Sequence, residues 1–160
     1  MGENALVEAY IRNGASPDGK WWIEFPVGLS IQQENTQSIV PKHIDAVCLT
    51  DRAQQVPESY PDYDGLDYIN TDIPESGVTR TELFRRLRDL EHFTDETVSI
   101  VEAKTGASSF KAIGQLEAYK TLLEEDFGWT VEEKILLREQ RDPIIDHAAS
   151  SLGMRVVNLQ

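Results

Sequence analysis

The run TVSIVEAKTG, residues 97–106, starts as an apolar, β-branched strand and closes on an acid and a base, Glu102 and Lys104, with one residue between them. Side chains two apart on a strand project to the same face, so the carboxylate and the ammonium are neighbours. Downstream, Ser109 to Phe127 reads as a long helix whose inner side carries Ile113, Leu116, Leu123 and Phe127, with Gly128 as its stop. A strand at Glu133–Leu137, a helix at Asp142–Leu152 and a last strand at Arg155–Leu159 follow. Upstream, Thr79–Glu91 is a helix with Leu83, Leu87 and Leu90 on one face, and Asp51–Gly77 is a long connection rich in Pro, Asp, Tyr and Ser. His43–Leu49 (HIDAVCL) and Lys20–Phe25 (KWWIEF) read as strands, and Asn4–Arg12 as a first helix with Ala5, Leu6, Ala9 and Tyr10 inward. Residues 26–37 are ambiguous, with a short strand around Leu29 and Ile31 as one reading. The order predicts an α/β fold in which helices flank a mixed central sheet.

A chain of 160 residues suits a single domain spanning residues 1–160, with an insertion over about 51–96. No apolar run is long enough for a membrane span, and MGENALVEAY lacks the basic start of a signal peptide. The single cysteine, Cys48, excludes an internal disulfide and a Cys-rich zinc or four-cysteine iron–sulfur site, and reads as a small buried hydrophobe. A cytoplasmic location is expected. Twenty-eight acids against fifteen bases give a net charge of −13. Such a balance fits a high-salt cytoplasm, where self-repulsion is screened, with the few bases (Lys104, Lys111, Arg85, Arg86, Arg88) gathered where they are needed.

An acid-x-Lys triplet alone is weak evidence. Three occur here, at Asp18-Gly19-Lys20, Glu102-Ala103-Lys104 and Glu132-Glu133-Lys134. Only the second closes an apolar strand. Asp45, inside IDAVCL, strengthens it: a carboxylate in a buried strand is costly unless paired, protonated or bound to metal. Together with Glu102 it offers oxygen ligands for one hard divalent cation. In the following helix Gln115 and Tyr119 are four apart and share a face, and Glu8 in the first helix is within reach of the same centre. His43, His92 and His147 are scattered and read as structural or surface residues. Of Trp21 and Trp22, candidates for base stacking, one reads as core and the other as partly covered, and the Asp62–Asp64 loop reads as a solvated turn.

Asp45, Glu102-x-Lys104 and Gln115-x-x-x-Tyr119, in that order on strand, strand and helix, resemble the PD-(D/E)XK nuclease superfamily, with the Gln-x-x-x-Tyr element similar to its RecB-like branch. The resemblance implies a restriction-endonuclease-like three-layer sandwich. It implies Mg²⁺ or Mn²⁺ held by Asp45, Glu102 and the backbone carbonyl of Ala103, with Glu8 as a further ligand used by some members. Asp45, Glu102, Lys104 and Gln115 would form the catalytic set, and Tyr119, Lys111 and Ser108 would touch substrate. Asp45 here follows Lys42-His43-Ile44 rather than a proline, and the gap from Asp45 to Glu102 is long.

The implied activity is metal-dependent hydrolysis of DNA phosphodiester bonds, in repair, recombination or processing of viral or mobile DNA. DNA is the expected partner, with a homodimer or larger nuclease complex as the expected assembly. The alternatives are an inactive binding or assembly module on the same fold, favoured by the acidic surface, and an RNA-processing member.

Overall fold

The structure is a computed structural model that describes residues 2–34, 40–50, 66–73, 77–106 and 110–159. Its elements run α1 (Glu3–Arg12), β1 (Lys20–Val27), α2 (Leu29–Glu34), β2 (Lys42–Leu49), β3 (Leu66–Tyr68), β4 (Asp72–Ile73), β5 (Val78–Thr79), α3 (Arg80–Asp89), β6 (Thr97–Lys104), α4 (Lys111–Phe127), β7 (Thr130–Arg138), α5 (Pro143–Ser151) and β8 (Arg155–Asn158). Ser108 and most of the long connection, Asp62 and Asp64 included, lie outside the described residues.

Six strands form one mixed sheet in the order β3-β1-β2-β6-β7-β8. The β1–β2 and β2–β6 pairs are antiparallel, whereas β6–β7, β7–β8 and β1–β3 are parallel. The β6–β7 and β7–β8 pairs follow from connectivity, because α4 carries the chain from β6 to β7 and α5 from β7 to β8. One sheet face packs Trp22, Phe25, Val47 and Ile100 against Phe84 and Leu87 of α3, Ile113, Leu116 and Leu123 of α4, and Ile145 of α5. The other face packs Trp21, Ile23, Val101 and Ile135 against Leu6, Val7 and Tyr10 of α1. The fold is thus α/β with helices on both sides of a central sheet, and β6 lies in its middle, buried on both faces.

Trp22 is the hub of an aromatic cluster, with ring centroids of Phe84, Phe93 and Phe25 5.0, 5.2 and 5.5 Å away. Trp21 and Trp22 are 4% and 0% exposed, so neither presents a face to a nucleic-acid base. Residues 29–34 form α2, not the short strand considered around Leu29 and Ile31. The cause is remote in sequence: the Asp126 carboxylate at the end of α4 accepts the backbone N–H groups of Gly28, Leu29 and Ser30 at 2.8, 3.2 and 2.9 Å, which satisfies the donors a helix start leaves open.

The segment between β2 and β6 is partly built into the core. β3 extends the sheet beside β1, and the buried Asp67 on β3 forms an ion pair with the buried Arg80 at the start of α3. At the head of β1, Gly19 has φ +154° and allows a close approach of chains. A Cβ there would lie 2.2 Å from the Leu49 carbonyl oxygen and 2.8 Å from Cys48 Sγ. Gly19→Ala is therefore expected to destabilise the protein by roughly 1–3 kcal/mol, the usual cost of overpacking. An unchanged urea midpoint would contradict that contact.

Candidate active site

β2 and β6 bring the two acids together. Their ladder ends at Ala46↔Val101, so Asp45 and Glu102 are the next residues on adjacent strands. Past that pair the main-chain ladder gives way to a side chain: an Asp45 carboxylate oxygen accepts the Ala103 N–H at 2.8 Å. The Asp45 charge acts on the neighbouring Glu102 carboxyl. A strand residue's N–H and C=O emerge on the same edge, so the Ala103 carbonyl opens toward Asp45 as well.

Glu102 is 3% exposed, and its Oε2 finds no hydrogen-bond partner among the described residues. Burial pushes its carboxyl up, to about 8, helped by the Asp45 charge and opposed by Lys104. Asp45 is also raised, by burial first and then by Glu3, against the lowering influence of the Ala103 N–H and Lys104. Two acids that both resist ionising, one with an orphaned oxygen, form a donor set that a cation would satisfy.

Lys104 places its Nζ 3.4 Å from Glu102 Oε1 and 4.0 Å from Glu3 Oε1. From α4, Gln115 Nε2 donates to the Tyr119 hydroxyl at 3.5 Å, and the Gln115 Oε1 is buried without a hydrogen-bond partner among the described residues. Tyr119 is held above its ordinary range by burial and then by the charge of Glu102. Lys111 opens α4, one turn before Gln115 on the exposed side. Asp45, Glu102 and Lys104 thus come together where the β2–β6 ladder ends, and the Gln115–Tyr119 pair on α4 lies within electrostatic range of the two acids.

Glu8 is engaged elsewhere, accepting the hydroxyl of Tyr68 on β3. The α1 acid that approaches Lys104 is Glu3, which the sequence reading passed over. Its signal was available. The inner face of α1 is Leu6, Val7 and Tyr10, whereas Ala5 and Ala9 are exposed. Glu3 stands three and four residues before Leu6 and Val7, so it extends that face toward the end of β6.

Among the described residues no three His, Cys, Asp or Glu side chains are grouped as metal ligands, so a cation here would draw on the Asp45–Glu102 pair and on backbone or solvent oxygen. Two arginines of α3 are committed to protein partners, Arg85 to Glu82 and Gln32 at 2.9 and 3.0 Å and Arg88 to the Asp126 carbonyl at 3.0 Å, whereas Arg86 is exposed and 3.6 Å from Glu82. Among the described residues no helix is long and apolar enough to cross a membrane. No family model, curated protein or solved structure matches this chain.

Proposed function

We propose that this chain is a divalent-cation-dependent nuclease domain of the PD-(D/E)XK type, hydrolysing phosphodiester bonds of DNA. The observation that carries the reading is the meeting of Asp45 and Glu102 across adjacent central strands, with the Lys104 ammonium 3.4 Å from Glu102. The antiparallel β1–β2–β6 unit, extended in parallel through α4 to β7, supports a restriction-endonuclease-like arrangement.

Asp45 and Glu102 would hold Mg²⁺ or Mn²⁺, with the Ala103 carbonyl and solvent oxygen completing the ligand set. The bound ion would lower the pKa of a coordinated water and neutralise charge on the scissile phosphate. The chain's own contribution is positional and electrostatic. The Ala103 N–H fixes one Asp45 oxygen and leaves the other for the site. Lys104 orients the attacking water and offsets charge developing on the phosphate. Gln115 and Tyr119 line the α4 side, where polar hydrogen-bonding groups meet the substrate strand. Burial of Glu102 keeps bulk water from competing for its oxygens.

Supercoiled plasmid incubated in molar KCl with increasing Mn²⁺ or Mg²⁺ is expected to be nicked or shortened only when the cation is present. Failure to cut plasmid, linear duplex or single-stranded DNA at any cation concentration would contradict the reading, and cleavage of RNA alone would move the substrate class.

A further inference from the structure

Glu24, outside the site described above, has the left-handed backbone conformation, φ +56°, in the middle of β1. A non-glycine residue is strained there, and such strain persists only where the surroundings impose it. Glu24 stands opposite Asp45. The β1–β2 register runs Trp22↔Val47 and Ile23↔Ala46, omits Glu24 and Asp45, and resumes at Phe25↔Ile44. Face alternation breaks in both strands at that pair. Trp22 and Val47 before it, and Phe25, Val27 and Ile44 after it, all pack into the same core cluster, whereas Ile23 and Ala46 pack into the other. A regular strand would send Phe25 and Ile44 to the faces of Ile23 and Ala46. The kink is anchored from outside the sheet, since Asn4 Nδ2 of α1 donates to Glu24 Oε1 at 3.2 Å.

We infer that Glu24 is a positioning residue whose left-handed backbone releases Asp45 from the β1–β2 ladder, so that the Asp45 carboxylate can turn to the Ala103 N–H and stand beside Glu102. The role in catalysis rests on the nuclease reading, whereas the structural effect on Asp45 does not. The backbone conformation is what matters, with the hydrogen bond to Asn4 as its support. Glycine adopts φ > 0 freely, the alanine Cβ disfavours it, and branching at Cβ disfavours it further.

The test is the series Glu24→Gly, Glu24→Ala and Glu24→Val, read first by amide hydrogen exchange at Ala103 in the full chain. Glu24→Gly should keep the wild-type exchange rate. Exchange should rise in the order Gly, Ala, Val, by ten-fold or more for Val, as the Asp45 acceptor is lost. With DNA as substrate, kcat should fall in the same order while KM stays within about two-fold. Equal Ala103 protection in all three variants, or loss of it in Glu24→Gly, would overturn the inference. If Glu24→Val does not fold, the Gly and Ala pair decides by the same rule. If the wild-type protein cuts no nucleic acid, the exchange series still decides this inference, and the nuclease reading fails separately.

Discussion

Lys104→Ala is expected to lower cation-dependent cleavage by about 10²–10⁴-fold, the range that a positioned proton-transfer or charge-stabilising group contributes. The ammonium sits 3.4 Å from Glu102 and 4.0 Å from Glu3, so it is held between two acids at the end of β6. Its side chain is partly exposed at 22%, which limits the packing lost on truncation. The fold itself should tolerate the change. Without Lys104 the Glu102 carboxyl rises further and stays protonated, a neutral group that burial does not penalise. Single-turnover cleavage and a urea melt on the same sample separate the two effects. A variant that cuts at the wild-type rate removes Lys104 from the mechanism; one that is inactive because it is unfolded does so no service and shows as a lost transition in the melt.

Glu102→Gln should abolish cleavage and cation binding while making the cation-free protein more resistant to rising pH. A carboxyl at about 8 in the folded chain, against 4.5 in its ordinary state, keeps a proton that the unfolded chain gives up. Between those values the native state binds more protons, so Glu102 makes stability fall as pH rises. The slope is at most about 1.4 kcal/mol per pH unit. Its favourable contribution is complete below pH 4.5 and is lost as pH rises through about 8. Asp45 acts in the same direction, because its folded-state value is also raised. Glutamine keeps the shape and removes the titration. The stability difference between variant and wild type, measured by urea unfolding in chelator, should therefore grow from pH 5 to pH 8. Saturating Mn²⁺ should narrow that difference at pH 8, because a ligand at 100 times its Kd stabilises by about 2.7 kcal/mol and only the wild type binds it. Parallel stability curves for the two proteins would contradict the buried, Asp45-coupled environment of Glu102.

Chemistry was more legible in the sequence than geometry. Asp45, Glu102 and Lys104 stood out because charged residues inside apolar β-branched runs demand a partner, and the structure brings them together as neighbours. The Gln115–Tyr119 spacing survived as a direct side-chain contact, because helical periodicity alone sets which residues face one another. Features decided by distant residues were not legible. α2 owes its start to Asp126, nearly a hundred residues along the chain, so residues 26–37 hold no local cap to read. β3 is three residues long and is tied down by the Asp67–Arg80 ion pair across the connection. In α1 the spacing of Ala5, Leu6, Ala9 and Tyr10 is as helical as that of Leu6, Val7 and Tyr10, so periodicity alone does not tell which face is buried or that Glu3 is the acid near Lys104. Nothing in KWWIEFPV announces that Glu24 turns left-handed, because a glutamate within an apolar strand carries no local signal for φ > 0.

Crystals soaked in Mn²⁺ and measured at the manganese absorption edge probe the shared-cation site without reference to any substrate. The account predicts an anomalous peak within about 2.0–2.6 Å of oxygens from both Asp45 and Glu102, a range spanning hard-cation oxygen distances, and its loss in Glu102→Gln crystals. No peak between those carboxylates at saturating Mn²⁺, or one that survives the substitution unchanged, would contradict it.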